Sequence, residues 1–323
     1  MRKNLPKQLF ALSCAGLLAA SVHAAQVLRP DDDEPDLVPS GKGWGERATP
    51  TPGYVTHGNN GNANGQAKPG GGGGGANGIN YHGGPVMLGT TNVYYIWYGN
   101  WGSNTATTIL TDLASNIGGS PYFNINTTYY DGSNQHVTNS VTFAGSTSTT
   151  SAKYGTSLSD AQIKSVVSDA IASNALPKDT NGVYFVLTST EVTASSGFCT
   201  QYCGWHTHGT ISGSDIKYSF VGNPDRCPSA CAAQTTGPNG NAGADGMASI
   251  ISHELEEAVS DPDLNAWYDR QGAENADKCA WTFGTTSTAP NGSKYNMTLG
   301  SRNYLIQRNW VNAAGGYCAT SFK

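Results

Sequence analysis

The sequence is short of charged side chains and has no excess of basic ones. Charged residues make up 13 % of the 323-residue chain, which is about half the share in an average soluble protein. Lys and Arg number 18 against 23 Asp and Glu, so the formal net charge is −5. Because phosphate backbones are bound through a basic face, we expect no nucleic-acid partner.

Long apolar runs are missing beyond the first two dozen residues. Arg2, Lys3 and Lys7 precede a mostly apolar stretch at residues 9–22, and small residues follow at 22–24. This pattern is typical of a secretory signal peptide, and the stretch is too short to span a membrane. We therefore predict a signal peptide at residues 1–24, no membrane span, and a secreted, extracellular or periplasmic location.

Two common catalytic motifs are also missing. No G-x-S-x-G occurs, so the chain offers no nucleophile elbow. The run Gly70–Gly75 has neither the preceding strand nor the following Lys-Ser/Thr of a phosphate loop. Residues 25–80 are rich in Gly and Pro and include the acidic run Pro30–Pro35. We interpret residues 25–80 as a disordered linker or pro-segment and residues 81–323 as the folded domain.

Cysteine is sparse, but its distribution is informative. One of the 7 cysteines, Cys14, falls in the signal peptide. An even number in the rest of an exported chain predicts three disulfides, whose pairing stays open. A zinc site made by the two C-x3-C pairs is disfavoured, because exported thiols usually oxidise and zinc knuckles usually have C-x2-C spacing. The predicted disulfide cysteines are Cys199, Cys203, Cys227, Cys231, Cys279 and Cys318.

Apolar periodicity predicts alternating strands and helices, and hence an α/β (α+β) fold. A capping box at Ser159 and Gln162 begins the clearest helix. The continuous apolar run at 183–188 predicts a strand that is buried on both faces, whereas the alternation at 216–221 is more typical of an edge strand. The predicted elements are strands at 93–99, 183–188 and 216–221, helices at 105–116 and 159–173, and a strand-rich region at 122–148.

The stretch Ser249–Val259 carries the main candidate chemistry. As a helix it places His253 and Glu257 four residues apart on one face, where two side chains can bind one metal ion. Glu254 follows the histidine, in the position of the general base of H-E-x-x-H zinc hydrolases. On a helical wheel Glu254 falls within the apolar arc, where a carboxylate is costly without a purpose, and Glu256 points to water.

Several residues outside the helix could complete a metal site. Glu274 has the spacing of a glutamate donated by a second helix, and Asp277 could hold a ligand in place by a hydrogen bond. His206 shares a strand face with His208 if that stretch is extended, and is the alternative third ligand. Asp263 is the weakest candidate, because Pro262 changes the turn that would bring it back. Zinc is the expected metal, with calcium and manganese as alternatives.

Several stretches from residue 81 to the C-terminus form a pattern, namely 81–86, 92–101, 181–188, 197–199, 203–206, 243–268 and 295–297. Together they resemble the phosphate-induced or EXORDIUM-like proteins, which are best known from plant cell walls. The resemblance implies a secreted, disulfide-bearing protein linked in plants to growth and cell expansion, and it implies no particular reaction. The family pattern includes His206, His253, Glu254, Glu257, Glu274, Asp277 and Cys279 and is apolar at Asp263.

The element order also resembles the zincin layout, in which a twisted mixed sheet backs a metal-bearing helix beneath an edge strand. We therefore expect a secreted zinc-dependent hydrolase, most simply a metallopeptidase, with Glu254 as general base and a peptide or a cell-wall glycan as substrate. The alternative is a non-catalytic cell-wall or glycan-binding protein with a structural metal. A third reading, a disulfide-stapled protein without metal, requires Glu254 to be exposed to solvent.

Overall fold

The structure is a computed structural model that describes residues 78–323 and Pro39. The predicted signal peptide and nearly all of the predicted linker lie outside the described residues. Order in the described part begins with the short strand Asn80–Tyr81, which pairs antiparallel with Trp267–Tyr268.

A mixed five-stranded sheet forms the centre of the described part. Its order is β2-β1-β3-β5-β4, in which β4 is antiparallel to β5 at one edge and all other neighbours are parallel. The strands β1 and β3 are buried along nearly their whole length, as expected for parallel strands covered on both faces. The strand bounds are β1 (Thr91–Tyr98), β2 (Val141–Thr149), β3 (Gly182–Thr188), β4 (Gly204–Ile211) and β5 (Ser214–Val221).

Three long helices cover the two faces of this sheet. They are α1 (Ala106–Asn116), α2 (Asp160–Ala172) and α3 (Ala242–Ser260). The connection from β1 to β2 runs in one direction across the sheet and that from β2 to β3 in the other. Right-handed crossovers therefore put α1 and α2 on opposite faces. Helix α3 packs against α1 as well as against β4, so α1 and α3 share a face.

The remaining elements are short and lie mainly after α3. The short helices are Phe123–Thr128, Pro224–Arg226, Pro228–Cys231 and Asp277–Cys279. The two-stranded pairs are Ser157–Leu158 with Thr193–Ala194, Ser287–Thr288 with Lys294–Tyr295, Met297–Leu299 with Arg302–Tyr304, and Asn309–Val311 with Tyr317–Ala319.

The strongest sequence patterns predicted their elements correctly. Helix α2 begins with the predicted capping box, since Ser159 and Gln162 each accept a hydrogen bond from the backbone of the other. Strand β3 is buried at every position, as its continuous apolar run predicted. The α/β class and the two elements near residues 93–116 are also confirmed.

Two predictions about strands were wrong. The region 122–148 begins with the short helix Phe123–Thr128 rather than a strand, because Thr127 and Thr128 donate side-chain hydrogen bonds back to the preceding turn. The predicted edge strand near 216–221 is interior, because β4 pairs along its outer side. A two-residue turn at Ser212 and Gly213, both with positive φ, closes that hairpin.

Three disulfides join the segments around α3, as the even cysteine count predicted. Cys199 pairs with Cys227 and Cys203 with Cys231, which links the chain before β4 to the chain before α3. Cys279 pairs with Cys318 and ties the C-terminal strand to the segment after α3. The two C-x3-C pairs are therefore cross-linked to each other and do not form a zinc knuckle.

Helix α3 is buried on every side, although its sequence predicted one polar face. Asn241 begins it by accepting a hydrogen bond from the backbone N–H of Ala244 at 3.1 Å. The prediction that Glu256 points to water was wrong, because its side chain is fully buried and faces Tyr122 and Asn126. The short helix Phe123–Thr128 covers that side of α3 and was not apparent in the sequence pattern.

No helix in residues 78–323 combines the length and the apolar character needed to cross a bilayer.

The end of α3 depends on a buried carboxyl. Asp261 Oδ1 accepts hydrogen bonds from the backbone N–H groups of Asn265 and Ala266, both at 2.6 Å. Burial raises the pKa of Asp261 to about 6 from 3.8, and the two hydrogen bonds oppose that shift. An acid with a raised pKa stabilises the fold below its unfolded pKa, and this contribution is lost as pH rises through the folded pKa.

We therefore predict that Asp261→Asn becomes more stable relative to wild type as pH rises from about 4 to about 6. The relative gain in the free energy of unfolding should reach at most about 3 kcal/mol, measured by urea denaturation at several pH values. Asp131→Asn is the matched control, because Asp131 Oδ1 also accepts two backbone hydrogen bonds but is not fully buried. A stability difference for Asp261→Asn that does not vary with pH would contradict the prediction.

Candidate metal centre

Helix α3 contributes two buried side chains on one face. His253 and Glu257 lie one turn apart, and His253 Nε2 is 3.0 Å from Glu257 Oε1. Both side chains are completely shielded from solvent. The i, i+4 pair predicted from the sequence is therefore formed, and it points into the interior.

Strand β4 brings a second histidine over the helix. His206 is 1 % exposed, and its Nε2 lies 3.7 Å from Glu257 Oε2. His206 is thus close to the opposite oxygen of Glu257 from the one that His253 contacts. The predicted extended conformation of the His-x-His stretch is confirmed.

The segment after α3 supplies two further carboxylates. Both side-chain oxygens of Glu274 lie 3.2 Å from His206 Nε2. Asp277 Oδ1 lies 3.6 Å from His253 Nε2. Glu274 therefore meets the histidine of the edge strand, and Asp277 meets the histidine of the helix.

Backbone hydrogen bonds hold this segment against α3. The N–H of Asp277 donates to Glu257 Oε1 at 3.1 Å, and the N–H of Glu274 donates to Asp277 Oδ2 at 3.2 Å. The disulfide between Cys279 and Cys318 anchors the chain two residues farther on. The two carboxylates are thus positioned by the fold and not by side-chain packing alone.

The possible ligand atoms form two overlapping groups that share Glu257. In each group they lie within 4.8 Å of one another: His206, Glu257 and Glu274 in one, and His253, Glu257 and Asp277 in the other. The predicted third ligand, Glu274, and its alternative, His206, thus belong to the same group. Asp277, predicted to support a ligand, is itself within reach of a shared ion.

Burial controls the charge of the centre. It lowers the pKa of His206 to about 3, and the neighbouring His253 and His208 lower it further, so His206 is neutral at physiological pH. Burial also raises the pKa of Glu257, and the carboxylate of Asp277 adds to this effect, whereas His253 opposes it. The negative charge of the carboxylates in the centre is therefore poorly compensated by the side chains around them.

The residues fit a divalent metal ion. Glu257 Oε2 and Asp277 Oδ1 are buried atoms that accept no hydrogen bond, so each has a lone pair available for a ligand bond. Zinc ligands at about 2.0–2.1 Å in a tetrahedral site lie roughly 3.3 Å apart. The observed separations of 3.0–3.7 Å between nitrogen and oxygen atoms are close to that value. Imidazole with carboxylate is a donor set that suits zinc and also manganese.

Glu254 lies beside these groups and belongs to neither of them. Its side chain is fully buried, as its place in the apolar arc predicted. A Cβ added to Gly204 would come 3.0 Å from Glu254 Oε1 and 2.6 Å from Ile250 Cγ2, so α3 and β4 are in close contact there. Gly204 and His206 are two residues apart and share a strand face, so Glu254 approaches the face of β4 that carries His206.

Asp263, the weakest ligand candidate, lies in a different cluster. Its Oδ1 is 2.9 Å from Lys217 Nζ and 3.6 Å from His208 Nδ1. Asp215 pairs with the same lysine and lies 2.9 Å from the same histidine nitrogen. The lysine supplies the positive charge that a metal would otherwise provide, so we interpret this cluster as an ion-pair network between the β4–β5 hairpin and the end of α3.

Two features of the centre were not apparent from the sequence. Gly204 has no motif of its own, although its position directly before Trp205 and His206 could have suggested a close helix contact. The third buried glutamate of α3, Glu256, was assigned to the surface because the wheel does not show which other segments cover a helix.

Comparison with known proteins agrees with the resemblance seen in the sequence. The region described as “Phosphate-induced protein 1 conserved region” matches residues 79–320. The chain belongs to this family. Among the members of this family that it is similar to is Protein EXORDIUM-like 5 of Arabidopsis thaliana. The two are 32 % identical over an alignment 273 residues long, and the match covers 72 % of this chain and 75 % of that protein. The family match at residues 79–320 contains every residue of the candidate centre.

Two further relatives are similar over 61–74 % of this chain. Protein EXORDIUM-like 3 of Arabidopsis thaliana is 30 % identical over 279 residues, covering 74 % of this chain and 82 % of the relative. Protein PHOSPHATE-INDUCED 1 of Nicotiana tabacum is 26 % identical over 228 residues, covering 61 % of this chain and 69 % of the relative. No solved structure matches the chain.

The close contact at Gly204 gives a testable prediction. Gly204→Ala would put a methyl group 2.9 Å from the carbonyl oxygen of Phe220 as well as against Ile250. Since a backbone atom cannot give way easily, we expect the free energy of unfolding to fall by about 1–3 kcal/mol, measured by chemical denaturation.

Gly209→Ala on the same strand is the matched control. Its added methyl group would meet mainly the end of the flexible Lys164 side chain, at 3.1 Å, so its effect should be small. Equal stabilities of the two variants would show that the surroundings of Gly204 accommodate a methyl group, which contradicts the close packing of β4 against Phe220 and Ile250.

Proposed function

We propose that this protein is a secreted zinc-dependent hydrolase, most simply a metallopeptidase, in which Glu254 is the general base. The observation that carries the proposal is the position of Glu254. It is a fully buried carboxylate that directly follows His253 in the helix and approaches β4 at Gly204. It is in neither of the two groups of possible metal ligands. A carboxylate in that place is suited to moving a proton.

His253 and Glu257 would hold the ion, together with groups from outside the helix. Zinc in such a site supplies Lewis acidity, which polarises a carbonyl and lowers the pKa of water. Glu254 would accept a proton from the attacking water on its carboxylate and deliver it to the leaving group. Burial lowers the pKa of His206, so this side chain is a neutral imidazole, the form that binds metal ions.

The arrangement of sheet and helix supports the same proposal. Helix α3 lies against the edge strand β4, which is antiparallel to its neighbour, and this arrangement resembles the zincin layout. Among the described strands β4 pairs only with β5. Its other edge could hold an extended peptide by backbone hydrogen bonds, which favours a peptide substrate over a glycan.

The three disulfides favour a compartment outside the cytosol, where thiols oxidise and disulfides persist. This agrees with the predicted export of the chain to an extracellular or periplasmic location. A peptide in that compartment is the substrate class that we propose.

A second candidate function is favoured by the burial of the centre. His206, His253, Glu257 and Glu274 are at most 1 % exposed, so a substrate would require movement of the surrounding chain. Four protein ligands around one ion would leave no open position, which is the mark of a structural site. In that case the protein would be a non-catalytic cell-wall or glycan-binding protein. The metal-free reading requires an exposed Glu254 and does not agree with its burial.

Glu254→Gln separates the two functions. For the hydrolase we expect hydrolysis of a peptide panel to fall on the order of 100-fold or more, while the zinc content by elemental analysis and the Tm stay near wild type. Glu256→Gln is the matched control, because it makes the same exchange at a fully buried position of the same helix that belongs to neither ligand group. It should keep its zinc and most of its activity.

Other outcomes of the same experiment would contradict the hydrolase or both candidate functions. Zinc-loaded wild-type protein that cleaves no peptide or glycan, or Glu254→Gln that is as active as wild type, would leave the structural metal site as the function. Absence of stoichiometric metal from protein never exposed to a chelator would rule out both functions.

A further inference from the structure

The two oxygens of Glu257 face different partners. Oε1 lies 3.0 Å from His253 Nε2, and Oε2 lies 3.7 Å from His206 Nε2. Glu274 lies on the His206 side and Asp277 on the His253 side. A carboxylate with a separate set of ligands at each oxygen has the arrangement of a bridge between two metal ions.

The number of donors also favours two ions over one. A single tetrahedral ion accepts four ligands, whereas His206, His253, Glu257, Glu274 and Asp277 offer more than four donor atoms. Divided between two ions, they give three ligating residues to each, with Glu257 shared. Three protein ligands and one open position are the usual arrangement of a catalytic zinc.

Charge balance points in the same direction. Glu257, Glu274 and Asp277 bring three carboxylates into the interior, and Glu254 beside them brings a fourth. A buried charge without compensation is strongly destabilising, and two divalent ions supply four positive charges where one supplies two.

An unpartnered oxygen is present on each side of the bridge. Glu257 Oε2 belongs to the His206 side and Asp277 Oδ1 to the His253 side, and neither of these buried atoms accepts a hydrogen bond. The side chain of Glu257 is fully buried and that of Asp277 is 3 % exposed. Each side therefore has a lone pair that points into the centre and is available to an ion.

We propose that the centre binds two divalent cations bridged by the carboxylate of Glu257. His206 and Glu274 hold one ion, and His253 and Asp277 hold the other. This inference rests on the metal site of the proposed function and extends it to the class of hydrolases with two metal ions about 3.5–4 Å apart. It also removes the objection that His206 closes the coordination shell, because His206 then belongs to the second ion.

The test is the metal stoichiometry of the folded chain. Protein reconstituted with zinc and dialysed without chelator should contain two zinc ions per chain by elemental analysis. His206→Ala and His253→Ala should each retain one. His208→Ala is the matched control, because His208 lies on the same strand but contacts Asp215 and Asp263 instead, and it should retain two.

Electron paramagnetic resonance of the wild-type protein loaded with manganese provides a second measurement that needs no variant. Two Mn²⁺ ions bridged by one carboxylate should give an exchange-coupled spectrum, whereas a single ion gives the isolated six-line pattern. This keeps the proposal testable if a histidine variant fails to fold, which its Tm would reveal.

One zinc per chain in the wild type, or an uncoupled manganese spectrum, would overturn the two-ion proposal. If such protein still showed activity that depends on Glu254, the proposed hydrolase would stand with a single ion. No zinc at all would overturn both, so the two failures are distinguishable.

Discussion

The burial of a helix rich in carboxylates is the constraint on which the rest of this structure depends. Glu254, Glu256 and Glu257 lie within four consecutive positions of α3, and all three are shielded from solvent. Removing a carboxylate from water costs several kcal/mol unless charge or hydrogen bonds compensate for it. The segments around α3 therefore have to bring polar groups to it, and three of them do: β4 with His206, the short helix Phe123–Thr128 with Asn126, and the segment after α3 with Asp277.

These segments meet because covalent and backbone constraints bring them together. Two disulfides join the chain before β4 to the chain before α3, and the third anchors the segment that carries Glu274 and Asp277. Gly204 allows β4 to approach the helix closely. The side chains of the centre are thus held by rigid elements, which is what a precise metal site needs. Membership of the phosphate-induced protein family supplies no reaction, so the chemistry has to be argued from this geometry.

Patterns confined to one element predicted that element well. The capping box at Ser159 and the continuous apolar run of β3 depend on contacts with near neighbours or on burial alone, and both were confirmed. The prediction that β5 is an edge strand was wrong. An alternating pattern shows that one face of a strand is less buried, but it does not show whether another strand pairs along its edge. The prediction that Glu256 is exposed to water was wrong for a similar reason. A helical wheel contains no information about the segments that cover the far side of the helix.

The sequence by itself determined the α/β class, the even set of disulfide cysteines, and the one-turn spacing of His253 and Glu257. These follow from composition and from the helical period, which are local properties. Tertiary structure alone decided that His206 and Glu274, 68 residues apart in the chain, meet at one nitrogen, and that each oxygen of Glu257 faces a different histidine. The reason is physical: such contacts depend on strand order, crossover direction and disulfide pairing, which no short stretch of sequence contains.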